Sequence, residues 1–262
     1  MRLTLLGTGT SFGIPQIGCG CRVCTSSDPR DRRGRTGAVV EQGTTRILID
    51  TPPELRLSLT RCGIGSVDAV HYTHDHADHT HGHDDLRALS GGRLGTLPVH
   101  GPADALERMR VKFAYVFDPL QNVIPGSSTP SVTVTPLQPG VATQVAGVEV
   151  LPLAFAHGNA VVFGYRFGRC AYLTDVKAVP ESSRAALAGL DVLVLNALWY
   201  RPHPTHLSIP EAVATARAIG ARRTFLTHLT HETAHAELER DLPPDVQPGY
   251  DGLVVEVERA VH

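Results

Sequence analysis

Long apolar runs are missing from this 262-residue chain. No stretch approaches the roughly 18 apolar residues that a membrane-spanning helix needs, so no membrane partner is expected. The opening MRLTLLGTGT is too short and too rich in Gly and Thr for a signal peptide, and a cytoplasmic location is expected. An excess of charge of one sign is missing too. Twenty-four basic side chains meet 26 acidic ones, for a net charge of −2. No global basic field draws in nucleic acid, which is therefore not an expected partner, although a local basic patch is compatible with these numbers. Low-complexity segments, short-period repeats and a convincing linker are also absent, so residues 1–262 are expected to form one domain. Cysteine is scarce and odd in number: there are five, three of them within six residues. That excludes a disulfide framework and favours reduced thiols or metal. What remains, 42% hydrophobic and 19% charged, is a soluble globular chain long enough for a real core.

Strands are expected at Leu3–Leu6, Ala38–Val40 and Ile47–Ile49, the last two joined through Gln42-Gly43. Further strands are read at Val67–Tyr72, Leu97–His100, Val132–Leu137, Val145–Leu153, Val161–Phe167, Ala171–Leu173, Val192–Leu195, Arg223–Leu226 and Leu253–Val257. Helices are expected over Pro53–Arg61, Asp84–Leu89, Ala103–Phe113 and Ser208–Ile219. The last has a capping box, Ser208 with Glu211, and a closing Gly220. Residues 118–130 read as a polar, Pro-rich loop able to cover a site. Strands cluster on both sides of a midpoint near residue 130, which suggests two sheets packed face to face with helices outside.

The most informative segment is Thr73-His74-Asp75-His76-Ala77-Asp78-His79. It follows an apolar run and carries three imidazoles and a carboxylate as His-x-His-x-Asp-His. Imidazole with carboxylate suits zinc, manganese or iron. One ion cannot use all four groups of so short a loop. A natural division sends His74 and His76 to one ion, and Asp78 and His79 to a second. Three later residues each end an apolar run: His157, Asp175 and His228. A second cluster, Cys19-Gly20-Cys21-Arg22-Val23-Cys24, has the spacing C-x-C-x₂-C and lacks one ligand for a tetrahedral zinc. His231, three residues after His228, is the best fourth ligand.

The order His-x-His-x-Asp-His, then His157, Asp175 and His228, resembles the metallo-β-lactamase superfamily. The resemblance implies an α+β fold, the four-layer αββα sandwich, with metals at one edge of the two sheets. It implies that His74, His76 and His157 bind one ion, that Asp78, His79 and His228 bind another, and that Asp175 bridges both. Two ions about 3.5–4 Å apart can share a hydroxide and clamp a phosphoryl oxygen. Asp78 is taken as catalytic as well as a ligand. Leu6-Gly7-Thr8-Gly9-Thr10-Ser11 with Gly13 and Pro15, the cysteine cluster, and Thr227-His228-Leu229-Thr230-His231 together resemble one subgroup. That subgroup includes the phosphodiesterase of the carbon–phosphorus lyase pathway. By that resemblance Cys19, Cys21, Cys24 and His231 hold a structural zinc, the two catalytic ions are manganese or zinc, and a homodimer is expected. His206, preferred to His203 because it directly precedes the Leu207-Ser208 helix start, would serve the reaction. It could stabilise developing charge or protonate the leaving alkoxide. The segment His81-Gly82-His83-Asp84-Asp85-Leu86-Arg87 is more charged than the subgroup's pattern.

The function these readings favour is metal-dependent hydrolysis of a small anionic phosphodiester, cyclic or nucleotide-like. Two other functions compete: a tRNA 3′-processing type of nuclease, and a non-hydrolytic protein resembling the pyrroloquinoline quinone synthesis protein. His231-Glu232-Thr233-Ala234-His235 spells H-E-x-x-H, but His231 already has a use, and His235 is expected to face solvent. Arg30, Arg32, Arg33 and Arg35 form a basic run that reads either as a solvated face or as a phosphate-binding one. His71, His81, His83, His100 and His262 have no assigned partner, and Cys62 and Cys170 read as small core residues.

Overall fold

The computed structural model describes residues 1–118 and 126–258, apart from the side chain of Arg93. The first sheet draws β1 (Arg2–Gly7), β2 (Gly37–Gln42), β3 (Thr45–Ile49), β4 (Ala69–His71), β5 (Leu97–Gly101) and β6 (Val132–Pro136) from the N-terminal half. The second holds β7 (Thr143–Val145), β8 (Val148–His157), β9 (Ala160–Phe167), β10 (Cys170–Leu173), β11 (Val192–Asn196), β12 (Arg223–Thr227) and β13 (Val246–Pro248). The closing strand β14 (Val254–Glu256) returns to the first sheet beside β1, giving the orders β14-β1-β2-β3-β4-β5-β6 and β13-β12-β11-β10-β9-β8-β7. The expected division near residue 130 is therefore corrected twice, by β6 and by β14. The expected strand Val145–Leu153 is in fact a hairpin: Ala146 at φ 49° and Gly147 at φ 80° turn β7 back onto β8.

Residue alternation explains the four layers. The α-helices among the described residues are α1 (Leu55–Arg61), α2 (Ala77–Thr80), α3 (Ala103–Lys112), α4 (Ala114–Phe117), α5 (Glu181–Arg184), α6 (Ile209–Ile219) and α7 (His235–Asp241). Ala38, Val40, Ile47 and Ile49 face Tyr165, Tyr172, Val192 and Val194 between the sheets. The intervening Val39, Leu48 and Val70 face outward onto α1 and α3, where they meet Leu55, Leu59, Leu106 and Met109. On the other sheet Leu193 and Leu195 face α6 and α7, meeting Ile209, Ala212 and Leu238. A strand's side chains alternate between faces, so a strand apolar on both must be covered on both. The expected capping box is present: Ser208 accepts from the Glu211 N–H, and Glu211 accepts from the Ser208 N–H.

Both sheets are parallel where it matters for the site. β3 to β6 run parallel, as do β10 to β13. The chain leaves the C-terminal ends of β4, β10 and β12 just before His74, Asp175 and His228, and β8 ends on His157. Open parallel sheets present their ligands at that edge. Of the expected covering loop 118–130, residues 119–125 lie outside the described residues.

Candidate metal centre

All seven predicted His and Asp residues meet at the shared edge of the two sheets. Three sets have one donor atom per residue within 4.8 Å of one another: His74, His76 and His157; Asp78, His79 and His228; and His74, His79 and Asp175. The first two are the division expected from the sequence, and the third places Asp175 between them. Asp175 Oδ2 lies 3.2 Å from His79 Nε2, and its Oδ1 lies 3.2 Å from His228 Nε2. Asp78 Oδ2 lies 3.4 Å from His79 Nε2 and 3.7 Å from His228 Nε2. Asp75, inside the same motif, turns away to pair with Arg108 and Lys112 of α3, which hold it down to about 2 against its burial.

The donors fit cations on an independent criterion. His74 Nε2, His79 Nε2 and both ring nitrogens of His228 are buried without a hydrogen-bond partner. Buried polar atoms are rarely left so, and cations facing the three Nε2 atoms would account for those. On three of the imidazoles the opposite ring nitrogen is engaged. His79 Nδ1–H donates to Asp50 Oδ2 (2.7 Å), His157 Nδ1–H to the Thr205 carbonyl (3.1 Å), and His74 Nδ1 meets Thr73 Oγ1 at 3.0 Å. This is how ligand imidazoles are oriented and made basic.

The electrostatics point the same way. Burial, then His79, pushes His74 well below its ordinary range. Burial is the main cause that lowers His76, His157 and His206. Neutral imidazole is the metal-binding form. His79 is the exception. Burial opposes its charge, but Asp78, Asp175 and Asp50 outweigh that and hold it well above the usual range. Asp78 and Asp175 are held low despite burial: Asp78 by His79 and His228, Asp175 chiefly by His228 and His79. The backbone is strained at the same place. Asp50, Asp175 and His228 have φ of 61°, 58° and 59°. Left-handed non-glycine residues cost about 1–3 kcal/mol each and persist where the surroundings over-determine them.

His206 reaches the cluster as expected. Its Nε2–H donates to Asp175 Oδ1 at 2.9 Å, and it forms a further donor set with His157 and Asp175. His203 is also present, with its Nδ1 3.2 Å from that of His206 and Thr205 Oγ1 touching both. Asp50 is the residue that sequence reasoning missed. It is fully buried, and besides His79 it accepts from the backbone N–H and Oγ1 of Thr73, both at 2.8 Å. Ile47-Leu48-Ile49-Asp50 has the same strand-then-aspartate pattern that singled out Asp175 and could have revealed it.

The cysteine cluster also assembles. His231 Nδ1 lies 3.3, 3.4 and 3.4 Å from the sulfurs of Cys19, Cys21 and Cys24. A tetrahedron with Zn–S near 2.3 Å and Zn–N near 2.05 Å sets sulfur and nitrogen about 3.5 Å apart. The Cys24 N–H on Cys21 Sγ helps lower that thiol to about 6, whereas burial pushes Cys24 up to about 11.

His235 does not face solvent. It is buried, its N–H donates to Asp31 Oδ1 (2.7 Å), and Arg33 Nη2 donates to its Nδ1 (3.2 Å). It begins α7, so His231 and His235 share no helix and H-E-x-x-H is a coincidence of sequence. The basic run is neither of its two readings as a unit. Arg33 is buried on Thr8 and the Gly249 carbonyl, Arg30 pairs with Asp28 and Glu239, and Arg35 pairs with Glu54. In the charged segment after the metal loop, His83 is buried against the Tyr72 hydroxyl, Asp84 pairs with Arg87, and Asp85 accepts from the Arg56 N–H.

A cavity of about 790 Å³ opens over the cluster, with His76, Asp78, His157, Asp175, His206 and His228 at its floor and His231 in its wall. None of the four arginines of the basic run lines it. Among the described residues, no helix is long and apolar enough to cross a membrane.

Comparison with known proteins agrees with this geometry. Octanoyltransferase of Porphyromonas gingivalis is 40% identical over 256 residues, covering 97% of this chain and 51% of that protein, so the chain spans about half the length of that relative. Coenzyme PQQ synthesis protein B of Methylobacterium radiotolerans is 29% identical over 224 residues, 75% of this chain and 72% of that protein. The crystal structure of a new diphosphatase from the PhnP family superposes with a TM-score of 0.90 at 39% identity, covering 98% of each chain. The sequence pattern of the beta-lactamase superfamily domain matches residues 45–229. Sandwich, strand-end donors and sequence pattern coincide, and the chain belongs to the beta-lactamase superfamily, with the metallo-β-lactamase fold.

Proposed function

We propose that the protein is a metal-dependent phosphodiesterase acting on a small anionic diester. The observation that carries this reading is the convergence of seven His and Asp donors, several with orphaned nitrogens, at one sheet edge, five of them lining the floor of one cavity. In this reading His74, His76 and His157 hold one divalent cation, Asp78, His79 and His228 a second, and Asp175 lies between them; manganese or zinc suits the donors. When bound, the pair supplies a nucleophile at neutral pH and stabilises charge on the phosphoryl oxygens. Asp50 fixes the His79 ring, and the Thr205 carbonyl fixes His157. His206, whose Nε2 contacts Asp175, is read as the group that acts on the leaving oxygen. Cys19, Cys21, Cys24 and His231 hold a separate zinc that ties the N-terminal loop to the segment carrying His228.

The similarity to a PhnP-family diphosphatase over 98% of both chains supports hydrolysis at phosphorus. Acyl transfer, suggested by the name of a protein twice this length, draws less support. The chain covers 51% of that protein and leaves about half of it unmatched. The nuclease reading would need a basic track for a polyanion, and no arginine or lysine is among the described residues lining the cavity. The test is hydrolysis of bis(p-nitrophenyl) phosphate by the manganese-loaded protein. Turnover should fall by about a thousandfold in Asp175→Ala, the scale of losing a group that stabilises transition-state charge. A folded, metal-loaded protein without turnover would sink the reading in favour of a non-hydrolytic role.

A further inference from the structure

The wall of the cavity differs in kind from its floor. Phe12 lines it at the tip of a turn closed by the Gly13 N–H on the Thr10 carbonyl (2.8 Å), and the ring is 68% exposed. Arg35 Nε braces that turn by donating to the Ser11 carbonyl (3.1 Å). Trp199 lines the same cavity. The Arg201 guanidinium sits 4.6 Å from its centroid and pairs with Glu232 at 2.6 Å, while His203 packs edge-on at 5.4 Å. An exposed phenylalanine on a braced turn and a tryptophan held in place make a preformed aromatic wall, with the neutral amides of Gln16 and Asn159 alongside.

Two physical points give this wall a ligand. At about 790 Å³ the cavity is much larger than a bare phosphodiester group requires and has the size of a small-molecule site. Its lining also holds no arginine or lysine among the described residues. A second phosphate on the substrate would find one guanidinium beside the wall, Arg201, already paired with Glu232 at 2.6 Å, and would have to displace that carboxylate. A neutral planar ring would instead stack on the aromatic side chains and hydrogen-bond to the amides, and stacking alone is worth about 1–3 kcal/mol per base.

We infer that Phe12 and Trp199 form a stacking subsite selecting phosphodiesters that carry a neutral planar ring of the nucleobase class over sugar phosphates that lack one. This rests on the phosphodiesterase reading above. Trp199 is the sole tryptophan of the chain, so its fluorescence reports stacking directly, without turnover. Zinc-loaded protein is titrated with AMP and with ribose 5-phosphate, following Trp199 emission and binding heat in parallel. AMP should quench the emission and bind at least about tenfold more tightly than ribose 5-phosphate. Phe12→Ala, a change at an exposed ring, should remove most of that advantage while leaving ribose 5-phosphate binding unchanged. Trp199→Phe should keep most of it and Trp199→Leu should lose it. Equal affinities, or an AMP advantage untouched by Phe12→Ala, would overturn the subsite while bis(p-nitrophenyl) phosphate hydrolysis upholds the parent reading. Failure of both ligands to bind, with no hydrolysis, would overturn both.

Discussion

The protein contains two clusters of metal-type donors, and they are built in opposite ways. The His/Asp cluster takes its donors from the ends of β4, β8, β10 and β12, so strands of both sheets fix their positions. The cysteine cluster takes three of four donors from an irregular loop, backed only by a small satellite core of Ile14, Val23 and Cys24. In the first, the fold holds the site; in the second, the site holds the fold. They meet in one short segment, since His228 belongs to the first and His231 to the second. On the proposed reading, cation binding would serve the chemistry in one case and the ordering of chain in the other.

Breaking the loop cluster tests this most severely. Cys21→Ser should remove one equivalent of zinc and lower Tm by roughly 5–10 °C, on the scale of a few kcal/mol in a chain of this size. Metal analysis should still find the His/Asp cations. Loss of all metal together would erase the distinction between the clusters. The converse is Asp50→Asn, which disturbs the orientation and basicity of His79 and one carboxylate contact to Thr73. Metal affinity or activity should drop about 10- to 100-fold with the cysteine-bound zinc retained, and a variant as active as the parent would show that the His79 contact does not matter.

A smaller effect concerns the join between the two regions. Burial, then Arg33 and Arg30, lower His235 to about 4. An unfolded histidine titrates near 6.5, so between pH 6.5 and 4 the unfolded chain binds a proton that the folded one refuses. Stability is therefore intact above 6.5 and falls as pH drops through this window, by about 2–3 kcal/mol from this group. His235→Gln should flatten that part of the stability–pH curve in denaturant titrations at pH 7, 6 and 5; an unchanged slope would assign the acid sensitivity elsewhere.

Much of the His/Asp site was legible because its residues end apolar strands, and strand ends converge at one sheet edge by topology. Asp50 was overlooked for lack of a neighbouring histidine in sequence, although its partner, His79, is 29 residues away in the chain and 2.7 Å away in space. The hairpin at Ala146-Gly147 was read through as one strand because valines on both sides satisfy the same β pattern. β14 was expected as a strand, but nothing local says to which sheet it returns.

The sequence by itself determined the metal-type donor sets, since imidazole, thiolate and carboxylate at fixed short spacings have few other uses. It also determined the four layers, because strands apolar at every position need cover on both faces. Only the tertiary structure decided that Arg33 and His235 are buried together, that Asp75 turns from the motif toward α3, and that Phe12 and Trp199 share a cavity wall. Each of these depends on contacts between segments distant in the chain, where burial and charge are set by neighbours that local periodicity does not encode.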